Sequence, residues 1–80
     1  MKLPRDLSGD DLVKALAKYG YQITRQKGSH MRLTTQRRGE HHVTIPRHNP
    51  MRTGTLRSIL DMVAAHAGVT RDELQTSLFE

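Results

Sequence analysis

The chain has 80 residues and no cysteine. A chain this short buries only about 60% of the surface that its unfolded form exposes, so we expect one domain over residues 1–80 and exclude a second catalytic domain. The lack of cysteine excludes disulfides, thiolate zinc sites, iron–sulfur clusters and thiol nucleophiles. The apolar runs are short, and the N-terminus lacks the apolar core of a signal peptide. We therefore expect a cytosolic protein with no membrane segment.

The positive charge is concentrated in the middle of the chain. The net charge is +5, and residues 25–57 carry eight lysines and arginines against Glu40 alone, a local net charge of +7. Four of the five histidines lie in the same stretch: His30, His41, His42 and His48. A small basic domain of this kind favours polyanions, above all nucleic acid.

The first predicted element is a helix over about residues 9–19. Apolar residues recur there at helical spacing, and Gly20 follows as a stop signal. Ser8 can cap the first free N–H groups, while Asp10 and Asp11 complement the positive end of the helix dipole.

Three short strands are predicted next. From Tyr21 the apolar period changes to two, and the Gly28–Ser29 pair suits a type II′ hairpin turn. A polar loop over residues 36–39 returns the chain to the third strand, which Pro46 ends. The predicted apolar face comprises Tyr21, Ile23, Met31, Leu33, Val43 and Ile45. The opposite, polar face comprises Gln22, Thr24, Gln26, His30, Arg32, His42 and Thr44.

Two helices complete the predicted fold. The strongest helical pattern runs from Leu56 to Ala67 and ends at Gly68. Thr70 and Glu73 then have the spacing of a capping box, which predicts a short third helix. The order α-β-β-β-α-α is an α+β fold in which helices cover one face of a three-stranded antiparallel sheet.

His30 is the candidate catalytic residue. It begins a strand directly after Lys27–Gly28–Ser29, where a glycine permits close approach of a phosphate and backbone N–H groups can receive it. An imidazole with a reference pKa of about 6.5 beside a phosphodiester can take a proton from a ribose 2′-hydroxyl. The alternative is that His30 is simply a polar residue near a turn.

A second phosphate site is possible where the second helix begins. The free N–H groups of Thr53–Gly54–Thr55, with Arg52 and Arg57 beside them, could hold an anion. The alternative is that Thr53 or Thr55 merely caps the helix, and both can be true.

Two further groups of residues have less specific interpretations. His41 and His42 are adjacent in a strand and point to opposite faces, so we expect no metal site there. Arg37 and Arg38 are either a solvated hairpin tip or contacts to a nucleic-acid backbone.

The order and spacing of three motifs resemble the HicA family of type II toxins. They are Arg25-Gln26-Lys27-Gly28-Ser29-His30, Val43-Thr44-Ile45-Pro46-Arg47-His48 and Gly54-Thr55-Leu56-Arg57-Ser58-Ile59-Leu60. The resemblance covers nearly the whole chain. It implies a fold like that of double-stranded-RNA-binding domains, an mRNA-cleaving ribonuclease activity, His30 as the catalytic histidine and a HicB-type antitoxin as partner.

The sequence thus favours a toxin that is an endoribonuclease, monomeric when alone, with no cofactor or metal. The residues expected to bind RNA are Arg25, Lys27, Gly28, Ser29, Arg32, Arg52, Thr55 and Arg57. Two other functions stay open, a non-catalytic RNA-binding module and a helix-turn-helix DNA binder. The second is disfavoured because Asp72 and Glu73, at the start of its recognition helix, would meet DNA phosphates.

Overall fold

A computed structural model describes residues 3–80 of the chain. Its elements follow the predicted order α-β-β-β-α-α, which confirms the α+β fold. Helix α1 spans Gly9–Leu16 and continues as a 3-10 turn over Ala17–Tyr19, strands β1, β2 and β3 span Gln22–Lys27, His30–Thr35 and His41–Pro46, and helices α2 and α3 span Thr53–Ala67 and Arg71–Phe79.

Two helices begin at the predicted caps. The Ser8 hydroxyl accepts the Asp11 backbone N–H at 3.0 Å, and the Asp11 carboxylate accepts the Ser8 N–H at 3.2 Å. Thr70 and Glu73 form the same reciprocal pair at the start of α3, at 3.1 and 3.0 Å. Each box satisfies two backbone donors that a helix start otherwise leaves free.

The sheet is an antiparallel meander in the order β1-β2-β3. Its inner face packs against the helices and its outer face is open, as the alternation of β2 and β3 shows. Met31, Leu33, Val43 and Ile45 are at most 3% exposed, whereas the residues between them are half-buried or exposed. The hydrophobic core therefore lies between the inner face of the sheet and the helices.

A β-bulge in β1 changes the predicted faces of that strand. Ile23 pairs with Leu33, but the register then shifts so that Arg25 and Lys27 lie opposite the outer-face residues of β2. Gln26, predicted on the polar face, lies instead opposite inward-pointing Met31. Ile23 keeps its predicted place on the helix side, opposite Leu33, but it is 46% exposed because it lies on an edge strand. The prediction for Gln26 was wrong because a bulge adds one residue to one strand and breaks its period of two.

The helix layer supplies the other half of the core. Met51 is buried, the predicted apolar pattern of α2 is buried up to Ala64, and both leucines of α3 point inward. The buried helical residues are Leu12, Leu16, Leu56, Ile59, Leu60, Val63, Ala64, Leu74 and Leu78. Within residues 3–80, no helix is both long and apolar enough to span a lipid bilayer.

Candidate functional site

The turn between β1 and β2 presents His30 to solvent. Gly28 has φ of +58° and Ser29 does not have positive φ, the pattern of the predicted type II′ turn. Lys27 and His30 pair across the turn, and both are exposed. The His30 side chain makes no hydrogen bond to any other residue of 3–80. Its imidazole is therefore free to contact a ligand.

The bulge gathers positive charge on the outer face beside His30. Arg25 lies opposite Arg32, and Lys27 lies opposite His30. Residues that face each other in this way have Cβ atoms about 4.5–5.5 Å apart. Within residues 3–80, none of the three cations forms an ion pair with a carboxylate. Like charges held this close repel each other, so an anion bound between them would be stabilising.

Helix α2 begins without a side-chain cap. Its N-cap residue is Arg52, whose side chain makes no capping hydrogen bond, and Thr53 is already the first helical residue. The alternative that Thr53 or Thr55 caps the helix is therefore wrong. The first N–H groups of a helix have no intrahelical acceptor, so those of α2 are available to an anion. Arg57, one turn further on, is exposed.

The turn and the start of α2 are connected through the segment after β3. The Arg47 backbone N–H donates to the Ser29 carbonyl at 2.6 Å, and the Arg47 guanidinium pairs with Asp10 at 3.1 Å. Met51, which precedes the α2 cap, donates its N–H to the Leu7 carbonyl at 2.8 Å. These bonds hold the linker at the end of the sheet where His30 lies.

A comparison with protein families identifies the family of the chain. A family model described as HicA toxin of bacterial toxin-antitoxin matches residues 9–69, well over half of the chain. The chain belongs to the HicA toxin family. It is thus a toxin of a toxin–antitoxin system, and the family implies an antitoxin partner. No curated protein and no solved structure shows a significant match to the chain.

The segment that matches the HicA model runs from the start of α1 through the turn after α2. It contains His30 and all eight residues predicted to bind RNA. Helix α3 and the described residues before α1 lie outside it.

The outer face of this HicA chain also carries a hydrogen-bonded row that crosses all three strands. The Thr24 and Thr34 hydroxyls are 2.8 Å apart, Thr34 contacts His42 Nδ1 at 2.7 Å, and His42 Nε2 contacts Glu40 at 2.9 Å. The hydrogen bond with His42 lowers the pKa of the Glu40 carboxyl, and Gln36 adds to the effect. The sequence placed Thr24 and His42 on this face, but gave no sign that Thr34 links them.

The opposite end of the HicA sheet contains a second group of histidines and arginines, which is tightly bonded. His41 Nδ1 lies 2.6 Å from the Tyr21 hydroxyl, and its ring stacks on His66 with centroids 4.3 Å apart. His66 Nε2 lies 2.8 Å from the Arg37 carbonyl, and Arg38 Nε donates to the His66 carbonyl at 3.1 Å. Burial, followed by the nearby His66 and His42, lowers the pKa of His41.

The loop holds Arg37 and Arg38 against the helices, a structural role that neither expectation included. The Arg37 guanidinium donates to the Lys18 carbonyl at 2.7 Å, and Arg38 binds the last turn of α2. Both arginines thus satisfy carbonyl groups at helix ends, where a positive charge also favours the helix dipole. Both side chains are exposed, and each is held to a helix end by one of its donors.

His41 and His42 lie on opposite faces of the sheet, as the period of two predicts. His41 contacts the helix side through Tyr21 and His66, whereas His42 bonds to Thr34 and Glu40 on the outer face. The two imidazoles therefore do not converge on one point.

Proposed function

We propose that this HicA toxin is an endoribonuclease that cleaves mRNA with His30 as a general acid or base. One observation carries the proposal: an exposed imidazole with no hydrogen-bond partner within residues 3–80 lies beside three cations without carboxylate partners. Membership of the HicA family supports it, because a toxin needs an activity that arrests its host. We place this activity in the cytoplasm, where mRNA is translated.

The proposed reaction is an attack by the ribose 2′-oxygen on the adjacent phosphorus. His30 takes the 2′-hydroxyl proton as the new oxygen–phosphorus bond forms and the bond to the 5′-oxygen breaks, or it protonates the departing 5′-oxygen. Arg25, Lys27 and Arg32 hold the phosphate and stabilise its growing negative charge. Gly28 and Ser29 let the strand approach the backbone of the turn.

A second phosphate contact is proposed at the start of α2. The uncapped N–H groups that include Thr55 face a phosphate there, and Arg52 and Arg57 supply charge. The chain has one phenylalanine, two tyrosines and no tryptophan, which offers little surface for base stacking. We therefore propose recognition through phosphates and strand shape, the mode used by double-stranded-RNA-binding domains.

A HicB-type antitoxin is the proposed partner, and the toxin alone is proposed to be monomeric and to form a single domain. An acidic surface on the antitoxin would complement the outer face and block phosphate access to His30. A stable complex of this kind should bury about 1,200 Å² or more in total.

His30→Ala tests the proposed activity directly. Loss of one general acid or base lowers rates by about 10²- to 10⁴-fold, and removal of an exposed side chain leaves no cavity in the core. The purified variant and parent are incubated with a long mRNA, and circular dichroism checks the fold. The matched control is His48→Ala, which removes another exposed histidine from the linker near the same end of the sheet.

We expect undiminished cleavage by His48→Ala and almost none by His30→Ala. Equal loss in both variants would mean that charge rather than His30 is required. A parent that binds RNA without cutting it would instead favour the non-catalytic RNA-binding module. Tight binding to duplex DNA would favour the helix-turn-helix function, although α3 presents exposed Asp72 and Glu73 at its start.

Cleavage is also expected to continue in EDTA. His30 supplies the proton transfer, and residues 3–80 hold no group of three or more potential metal-binding side chains such as a two-metal mechanism uses. The same assay with and without the chelator checks this. An activity that EDTA abolishes and magnesium restores would contradict the proposed mechanism.

A further inference from the structure

A polar pocket lies on the helix layer, away from the outer face of the sheet. Its volume is about 360 Å³, and it is bounded by the segment before α1, the first turns of α2 and one side of α3. The polar residues that line it are Arg5, Thr53, Arg57, Arg71 and Gln75. None of the lining residues is acidic, so the pocket has a strongly positive character.

Gln75 gives this pocket its most unusual feature. The residue is 1% exposed, yet its side-chain Nε2 has no hydrogen-bond partner within residues 3–80. A buried amide without a hydrogen-bond partner is costly, and native proteins rarely contain one. Because Gln75 lines the pocket, its amide is a candidate donor to a ligand oxygen there.

Arg71 presents a second donor of the same kind. Its Nε is buried without a hydrogen-bond partner among the described residues, although its terminal nitrogen Nη1 donates to Asp61 at 3.3 Å. One carboxylate thus offsets one of three guanidinium groups. The donors left for a ligand are the guanidinium groups of Arg5 and Arg57, the Arg71 Nε–H, the Gln75 amide and the free backbone N–H of Thr53 at the uncapped helix start.

We propose that this pocket binds one phosphate group. A phosphate has several acceptor oxygens and a charge that suits an all-donor pocket, whereas a neutral or cationic ligand would leave the arginines unmatched. Arg5, Arg71 and Gln75 lie outside the segment that matches the HicA model, so the pocket is not defined by the matched segment. The pocket shares Arg57 and the uncapped start of α2 with the second phosphate contact proposed above, so RNA as the source of its phosphate rests on the proposed function.

Side-chain NMR tests the pocket with inorganic phosphate as the probe. The Gln75 amide and Arg71 Nε–H resonances are followed during titration of the full chain, with chloride at matched ionic strength as reference. We expect both signals to shift and saturate together. The internal reference is Arg47, which also has a carboxylate partner, Asp10, but lies outside the pocket.

Two variants and one control complete the test. Gln75→Met keeps the length of an unbranched side chain and Arg71→Gln removes the charge, so each should weaken phosphate binding about tenfold or more. Arg47→Gln should leave it within about twofold. A Gln75 signal that does not move, or equal weakening by Arg47→Gln, would overturn the proposal, since general charge screening would then explain the binding.

RNA binding in the His30→Ala background identifies the source of the phosphate. If the pocket holds an RNA phosphate, Arg71→Gln should weaken RNA binding and reduce its salt dependence by about one phosphate contact. If Arg71→Gln abolishes phosphate binding and leaves RNA binding unchanged, the pocket takes a small phosphate compound and the RNA assignment is wrong. A chain that binds phosphate but no RNA would refute the proposed function and leave the pocket standing.

Discussion

The two hairpin turns of the sheet carry the same basic residue types, but only one of them bonds those residues to the helices. The β1–β2 turn has His30 and Arg32 beside it, both exposed and without side-chain hydrogen bonds within residues 3–80. The β2–β3 turn has Arg37 and Arg38, which bind carbonyl groups of the 3-10 turn and of α2, and it also accepts a bond from His66.

This difference shows that charge alone does not identify a binding residue. Arg37 and Arg38 each donate one N–H to a helix carbonyl, which holds the side chain against the helix and limits the approach of its other donors to a phosphate. An arginine whose donors face only water loses little when it binds an anion. The hydrogen bonds already formed therefore distinguish the turn that is proposed to bind RNA from the turn that is held by the helices.

Charge reversal at the two turns should give the largest contrast. In the cleavage-dead His30→Ala background, Arg32→Glu should weaken RNA binding about tenfold or more and flatten its dependence on salt, because a phosphate contact becomes a repulsion. Arg38→Glu should leave RNA affinity within about twofold. Fluorescence anisotropy over a range of salt concentrations measures both.

The same two variants should rank in the opposite order in stability, with the larger loss for Arg38→Glu. Arg38→Glu removes the bond to the His66 carbonyl and places a negative charge at the C-terminal end of α2, so we expect a loss of about 1–2 kcal/mol. Arg32→Glu should cost much less, because it removes the repulsion between Arg25 and Arg32, two like charges that face each other. Equal RNA affinities for the two variants would mean that the turns do not differ in function.

A buried threonine anchors the β2–β3 turn, and its removal should have the next largest effect. Thr35 is 1% exposed; its hydroxyl donates to the Tyr19 carbonyl at 3.0 Å and accepts the Arg37 N–H at 3.2 Å. Thr35→Val keeps the shape and leaves both backbone groups without a partner. We expect the free energy of unfolding to fall by about 2 kcal/mol in chemical denaturation.

Thr34→Val is the matched control on the outer face. Thr34 is half-exposed, so water can replace its contacts with Thr24 and His42. We expect a loss below about 1 kcal/mol. A larger loss from Thr34→Val than from Thr35→Val would show that the hydrogen-bonded row, rather than the turn anchor, stabilises this end of the sheet.

The sequence predicted the elements whose signals are local. Ser8 and Thr70 cap their helices as expected, and the apolar pattern of α2 is buried up to Ala64, because caps and helical periodicity depend on neighbours a few residues away. The face of Gln26 was not predictable, since a bulge depends on how β1 pairs with β2. A strict period of two would have placed Arg25 and Lys27 on the helix side.

The roles of the polar residues were harder to predict than their faces. His41 and His42 were assigned to opposite faces correctly, but the stack of His41 on His66 joins residues 25 positions apart in the sequence. Gln75 gave no signal, because an isolated glutamine in an amphipathic helix is ordinarily exposed. Whether a donor is left without a partner depends on tertiary packing, which the sequence does not display.

The stacked His41–His66 pair predicts a smaller effect, a loss of stability in mild acid. Because the pKa of His41 is lowered from 6.5, the unfolded chain binds this proton more readily than the folded chain does. The free energy of unfolding should therefore fall as the pH drops through about 6.5 and level off below the lowered pKa. Protonation would also bring positive charge against His66, Arg37 and Arg38.

The other groups whose pKa is shifted titrate outside the range between pH 5 and pH 8. The pKa values of the Asp11, Glu40 and Glu73 carboxyls are lowered from 3.8, 4.5 and 4.5, so their contributions are lost only in stronger acid. Burial raises the pKa of Tyr21 to about 12, which matters only above about pH 10. A series of melting curves between pH 5 and pH 8 thus isolates the histidines.

Asparagine at position 41 tests the origin of the acid effect. His41→Asn stays neutral at every pH in the series and keeps an acceptor near the Tyr21 hydroxyl, so the fall in melting temperature between pH 7 and pH 5 should become smaller. His48→Asn, which removes an exposed linker histidine, should leave the fall unchanged. If His48→Asn reduces it as much as His41→Asn does, net charge rather than the stacked pair destabilises the protein in acid. The bonded end of the sheet would then be no more sensitive to protonation than the open end around His30.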